Sequence, residues 1–155
     1  MGENSIQYSF ASLGTTLIDL PRLVYTAVAK ALFGLCATQR IKGLCYQSGR
    51  KGALPEASSI LSKCTQLDSL QGFPTLGFEI GGERFDVEPA SYVLGGATMC
   101  PHSPPGHYRL GLERGEDLVL GMVFMANKLS VFDRANRQVG FADLAPAACA
   151  RSILV

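Results

Sequence analysis

From Phe73 to Phe141, glycine and proline cut the chain into short segments that alternate apolar and polar residues. Such punctuation suits strands joined by turns and leaves little room for long helices. Phe73–Ile80 reads as a strand, Gly81-Gly82 as a two-residue hairpin turn, and Glu83–Val87 as the returning strand with Phe85 and Val87 on one face. Pro89–Leu94 is a short turn and a strand, and Gly95–Gly106 a Gly/Pro-rich loop. Further strands are predicted at His107–Leu112, Asp117–Leu120, Lys128–Asp133 and Gln138–Phe141, with a helical turn at Met122–Ala126. The 17 glycines, 8 prolines and absent tryptophan agree with an all-β chain carrying a few short helices.

The first third reads differently. Ile6–Phe10 alternates and predicts a strand, leading into a turn-like Ser12–Thr16. Asp19-Leu20-Pro21 resembles a helix start, Asp19 being the cap and Pro21 in the first turn. Leu20, Leu23, Val24, Ala27, Val28, Ala31, Leu32 and Leu35 then mark an apolar face, and Gly34 a stop. Between 36 and 72 the pattern is weak. Arg40, Lys42, Arg50 and Lys51, among Gly43, Gly49, Gly52 and Pro55, suggest an exposed basic loop; Ala57–Cys64 fits a helical turn or a strand.

Composition bounds function. Fourteen Lys and Arg against thirteen Asp and Glu give a net charge of +1, leaving no cationic surplus to neutralise a nucleic-acid backbone. The longest apolar stretch, Leu20–Leu35, is broken by Pro21, Arg22, Thr26 and Lys30, so no membrane span is expected. Met1–Phe10 has neither the basic start nor the apolar run of a secretory signal, which read literally keeps the chain where it is made. The five cysteines (Cys36, Cys45, Cys64, Cys100, Cys149) include no CxxC pair, which speaks against a zinc or redox site, and their odd number leaves at least one without a partner in the chain. No metal and no other cofactor is expected.

Three ordered segments carry a resemblance. Leu118-Val119-Leu120-Gly121-Met122-Val123-Phe124-Met125, continuing through Ser130–Ala142 (SVFDRANRQVGFA), resembles the C-terminal end of pepsin-like aspartic endopeptidases. Cys64–Leu70, the hairpin from Phe73 to Gly82 and Pro89–Leu94 are similar to that family's cysteine segment, hairpin and next strand. Gly14-Thr15-Thr16-Leu17-Ile18-Asp19-Leu20-Pro21 resembles the stretch just after the second catalytic Asp. The resemblance spans about residues 10–145 and implies the C-terminal lobe of the two-lobed acid-protease fold, a β-barrel or stack of antiparallel sheets. The domain would then be residues 1–145, with Met1–Ala11 a divergent start and 146–155 a tail. The N-terminal lobe, with its own Asp and the flap over the substrate, lies outside it.

The family's chemistry needs two carboxylates, one per lobe, close enough that one proton serves both. One activates the attacking water and the other stabilises the oxyanion. Aligned on Gly14, the Asp position holds Ser12 and the adjoining Thr/Ser position holds Leu13. A serine hydroxyl does not ionise near neutral pH, and Leu13 cannot form the hydrogen bond to the other lobe. Ser12 as a nucleophile would need a histidine base, and only His102 and His107 are present, with no Gly-x-Ser-x-Gly elbow. The resemblance further implies a peptide-lining role for Gly14, Thr15 and Thr16. It pairs Cys64 with Cys100, with Cys45 as an alternative partner for Cys100, and assigns Cys149 a partner upstream of the chain. Cysteines so placed imply an oxidising compartment for the parent protein.

Three functions are compatible with these features: an inactive lobe of an aspartic endopeptidase; a non-catalytic module that binds a peptide, a protein, an N-terminal lobe or a second copy of itself; or the product of a truncated gene.

Overall fold

The computed structural model describes residues 9–38, 41, 44–45, 61, 63–67 and 69–144. The predicted strand start at 6–8, the basic loop, most of 57–64, Cys149 and the tail lie outside them.

The strands are β1 (Ser9–Ala11), β2 (Ile18–Pro21), β3 (Thr65–Gln66), β4 (Leu76–Ile80), β5 (Glu83–Val87), β6 (Val93–Gly95), β7 (His107–Leu110), β8 (Leu112–Gly115), β9 (Leu118–Leu120), β10 (Lys128–Asp133) and β11 (Gln138–Asp143). The helices are α1 (Arg22–Thr38), α2 (Pro89–Tyr92) and α3 (Met122–Met125). Strands dominate, as predicted, but α1 has 17 residues and is not short. Among the described residues the strands form four sheets, β1-β9-β2-β8, β3-β7-β6, β4-β5 and β10-β11, and none closes into a barrel.

Ile18, Leu20, Leu112, Leu118 and Leu120 of the four-stranded sheet are buried. Helix α1 covers them with Tyr25, Ala29 and Leu32, spaced at four and three residues and therefore on one stripe. That stripe agrees with the predicted face only in part: Leu32 is buried and Val24, Val28 and Leu35 pack against the core, but Leu23 is 65% exposed, and Ala27 and Ala31 face solvent. The cause is upstream. Ile18–Pro21 is a strand, parallel to β8 and antiparallel to β9, so Asp19 is a ladder residue opposite Glu113 and not a helix cap. Pro21 closes the strand, where its missing N–H interrupts little of the ladder, and the helix begins only at Arg22. At the other end α1 runs past Gly34, and Leu35 and Cys36 still pack against the core.

Gly81 and Gly82 make the predicted two-residue turn, both with positive φ (+61° and +83°), the backbone that glycine adopts without a steric cost. The predicted strand His107–Leu112 is broken at Gly111, where the chain changes sheets. Gly111 donates to the Tyr92 carbonyl (2.6 Å) and accepts from the Ile18 amide (2.9 Å), joining the two layers.

Phe78, Phe85 and Phe141 meet Phe124 edge-on, with ring centroids 5.0–6.1 Å apart, so α3 holds both hairpins. Lys128 adds a polar tie. Its side chain is only 4% exposed, and Nζ donates to Asp143 (2.9 Å) and to the Asp86 carbonyl (2.7 Å). Phe124 is fully buried at the centre, so Phe124→Ala should cost about 3–5 kcal/mol, read as a lowered urea midpoint.

Two disulfides are present. Cys64–Cys100 closes 36 residues, worth about 3–4 kcal/mol in the chain-entropy account. Cys45 is bonded to Cys36, so the alternative pairing of Cys45 with Cys100 is excluded. The nine-residue link ties the segment holding buried Ile41 and Leu44 to the last turn of α1.

Candidate functional site

Between β1 and β2 the chain makes a wide bend, Ser12–Leu17, and β9 runs through it. The Ser12 amide donates to the Leu120 carbonyl (3.0 Å), Met122 to Thr15 (2.8 Å) and Val123 to Thr16 (3.0 Å). Backbone therefore passes within hydrogen-bond reach on both sides of the bend, and residue 121 lies at the closest approach. A Cβ there would overlap the Leu17 carbonyl oxygen and lie 2.5 Å from that of Thr15. Only glycine fits.

At the mouth of the bend the Thr15 hydroxyl donates to Ser12 Oγ at 3.1 Å, and both side chains are half-buried. Gly14 and Thr16 are exposed, so of the three predicted lining residues Thr15 is partly engaged and the other two face outward. Leu13 is 68% exposed and Met122 is also exposed, giving the bend an apolar surface. The sequence pattern alone gives Met122 no special role; its position one residue beyond the threaded glycine is the signal that points to it.

Ser12 has no base. Neither histidine is hydrogen-bonded to it among the described residues; His107 belongs to the β3-β7-β6 sheet, its Nδ1 donating to the Pro104 carbonyl at 2.9 Å. Asp19 is on β2, past the bend, opposite Glu113 and Val119. No group of three or more His, Cys, Asp or Glu side chains among the described residues could hold a metal. A small cavity among Leu67, Phe73, Tyr108, Arg109 and Leu110 has about 10 Å³, room for one water and not for a substrate.

A strand, a Gly-Thr-Thr bend and a hydrophobic-hydrophobic-Gly strand threaded through it are consistent with a pepsin-like fold. Residues 3–144 match the family described as Eukaryotic aspartyl protease, and the chain belongs to it. It is 42% identical to gastricsin from Oryctolagus cuniculus over 79 residues, 50% of this chain and 20% of that protein. Pepsin A from Bos taurus is 33% identical over 95 residues, 61% of this chain and 24% of pepsin A. Aspartic proteinase A2 from Arabidopsis thaliana is 38% identical over 91 residues, 52% of this chain and 16% of that protein. The matches thus span a quarter or less of these relatives' length.

Proposed function

We propose that residues 1–145 form the C-terminal lobe of a pepsin-like aspartic peptidase whose catalytic carboxylate position is occupied by Ser12, and that this chain alone does not cleave peptides. The carrying observation is the hydroxyl pair at the bend: Thr15 Oγ1 donates to Ser12 Oγ, a neutral acceptor, where the family's chemistry requires a group that ionises. A hydroxyl there neither takes a proton from water nor shares one with a second acid. In this reading Gly14, Thr15 and Thr16 would lie along an extended peptide held between this lobe and a second one. The two disulfides support an oxidising compartment for the folded chain. No helix among the described residues is long and apolar enough to cross a membrane.

The test is an assay of the purified chain on a denatured protein at acid and neutral pH. The expected result is no cleavage above a blank; cleavage abolished by a transition-state analogue of aspartic peptidases would overturn the reading.

A second reading, a non-catalytic binding module, is favoured by the β10-β11 hairpin. Leu129 and Val131 share one face and are 55% and 53% exposed, and among the described residues no other sheet pairs with this one. Such an apolar face suits a second lobe or a second copy of the chain. Light scattering separates the two: a monomer that binds an N-terminal lobe from a related enzyme supports the first partner, and a dimer the second.

A further inference from the structure

The face of the four-stranded sheet opposite its buried leucines carries two acids on neighbouring strands. In the parallel β2–β8 ladder Asp19 is directly opposite Glu113, and adjacent strands are about 4.8 Å apart. Like charges placed directly opposite oppose the pairing. Arg109 of β7 is committed to one partner, binding Glu113 through its Nη2 at 2.6 Å, and among the described residues no ion pair joins Asp19 to a cation. The elements packed on β2 bring other charges, Arg114 on β8, Glu116 and Asp117 in the turn after it, and Arg22 and Lys30 on α1. Arg22, Lys30, Arg114, Glu116 and Asp117 are all exposed. Gly115 brings backbone close to Asp19, since a Cβ there would lie 3.0 Å from the Asp19 Cβ and 3.2 Å from the Asp117 carbonyl oxygen. Asp19 is therefore a half-buried acid facing a second acid whose cation is already engaged.

We propose that Asp19 and Glu113 form an acid-responsive clasp: with a proton on Asp19 the β2–β8 ladder is at its firmest, and at neutral pH two facing negative charges loosen it together with the Ser12–Leu17 bend that leads into β2. Burial and then the Glu113 charge raise the Asp19 carboxyl above its ordinary value, which agrees with this geometry. The sign comes from linkage. A carboxyl raised on folding contributes stability that is fully present below its unfolded value and is lost as pH rises through its folded value. Asp133 acts in the opposite sense, because Asn136 holds its carboxyl below the usual range. Its contribution is lost as pH falls toward its lowered folded value, opposite in sign to that of Asp19, and the comparison of the parent with Asp19→Asn separates the two.

The experiment measures urea unfolding of the full chain, disulfides intact, at intervals from about pH 4 to 7, a window set by ordinary carboxylate values. The folded-to-unfolded ratio should fall about threefold across it, the size of one unfavourable like-charge pair placed opposite in a ladder. Asp19→Asn should remove that fall and raise the neutral-pH midpoint. Glu113→Gln, which keeps an acceptor for Arg109, should shrink it. Amide exchange at Ile18 to Leu20, corrected for intrinsic rates, should slow at acid pH in the parent and not in Asp19→Asn. If the Asp19→Asn profile runs parallel to the parent's, the proposal is overturned. Should that variant fail to fold, carboxyl-carbon NMR of the parent decides: titration of Asp19 above the exposed aspartates supports the clasp, and titration among them overturns it.

Discussion

Changing Ser12→Asp together with Leu13→Thr, in the presence of an N-terminal lobe from a related enzyme, should produce acid peptidase activity about 100-fold or more above that of the unsubstituted chain with the same lobe. Positioned acid–base chemistry contributes roughly 10² to 10⁴ in rate, and the backbone that would aim it is already in place. Ser12 lies just past β1 with its amide on Leu120, and the Thr15 hydroxyl is 3.1 Å from Ser12 Oγ. A carboxylate introduced at position 12 would accept that hydroxyl as a charge-assisted hydrogen bond, which favours its ionised form. There is room for the larger group, because Gly14 presents no side chain and its Cβ position is 3.9 Å from Ser12 Oγ. The second substitution matters because Leu13 is an exposed hydrocarbon with nothing to donate across a lobe interface. Acid titration of the rate would identify the new carboxylate as the active group. Activity that appears with Leu13→Thr alone would contradict the account.

Gly121→Ala should be the most damaging single substitution, costing about 4 kcal/mol or more, which is a large part of the stability of a domain this size. The added methyl would collide with the carbonyl oxygens of Leu17 and Thr15. Both are backbone atoms with hydrogen-bonded neighbours, so neither can swing aside as a side chain would. Relief requires the bend to open, and opening breaks the bonds from Met122 to Thr15 and from Val123 to Thr16, each worth about 1 kcal/mol. Packing of α3 against the sheet would loosen with them. Urea unfolding monitored by far-UV circular dichroism reads the loss. A midpoint within about 0.5 kcal/mol of the parent, the range of an ordinary surface change, would mean that the strand does not thread the bend.

What sequence reveals of this fold depends on whether the determinant is local. The Gly81-Gly82 hairpin is legible because both residues needed for the turn are adjacent, and its strands pair in sequence order. The α3 turn and the β10-β11 hairpin are legible for the same reason. Strand β2 is not. Ile18-Asp19-Leu20-Pro21 is four residues long, and its partners Leu112–Gly115 and Val119-Leu120 lie about 100 residues away. Asp before Leu-Pro therefore imitates a helix start, and the predicted face of α1 takes in exposed Leu23, Ala27 and Ala31 while missing buried Tyr25 and Ala29. The Cys36–Cys45 bond is hidden because nothing in the spacing of nine says that the segment folds back on the helix. The tie from Lys128 is not legible in sequence either, since its ammonium is held by Asp143, 15 residues away, and the Asp86 carbonyl, 42 residues away. At the bend, Gly14-Thr15-Thr16 and Val119-Leu120-Gly121 carry the site through family likeness. The hydroxyl pair of Ser12 and Thr15 emerges only from the geometry.

The most direct measurement compares the unsubstituted chain, combined with an N-terminal lobe that brings its own catalytic aspartate, with the same lobe alone. With association verified by light scattering, the rate of cleavage of a denatured protein should equal that of the lobe by itself at every pH tested. Turnover by the combined pair, lost on adding an active-site inhibitor, would show that a hydroxyl at position 12 suffices and would contradict the account.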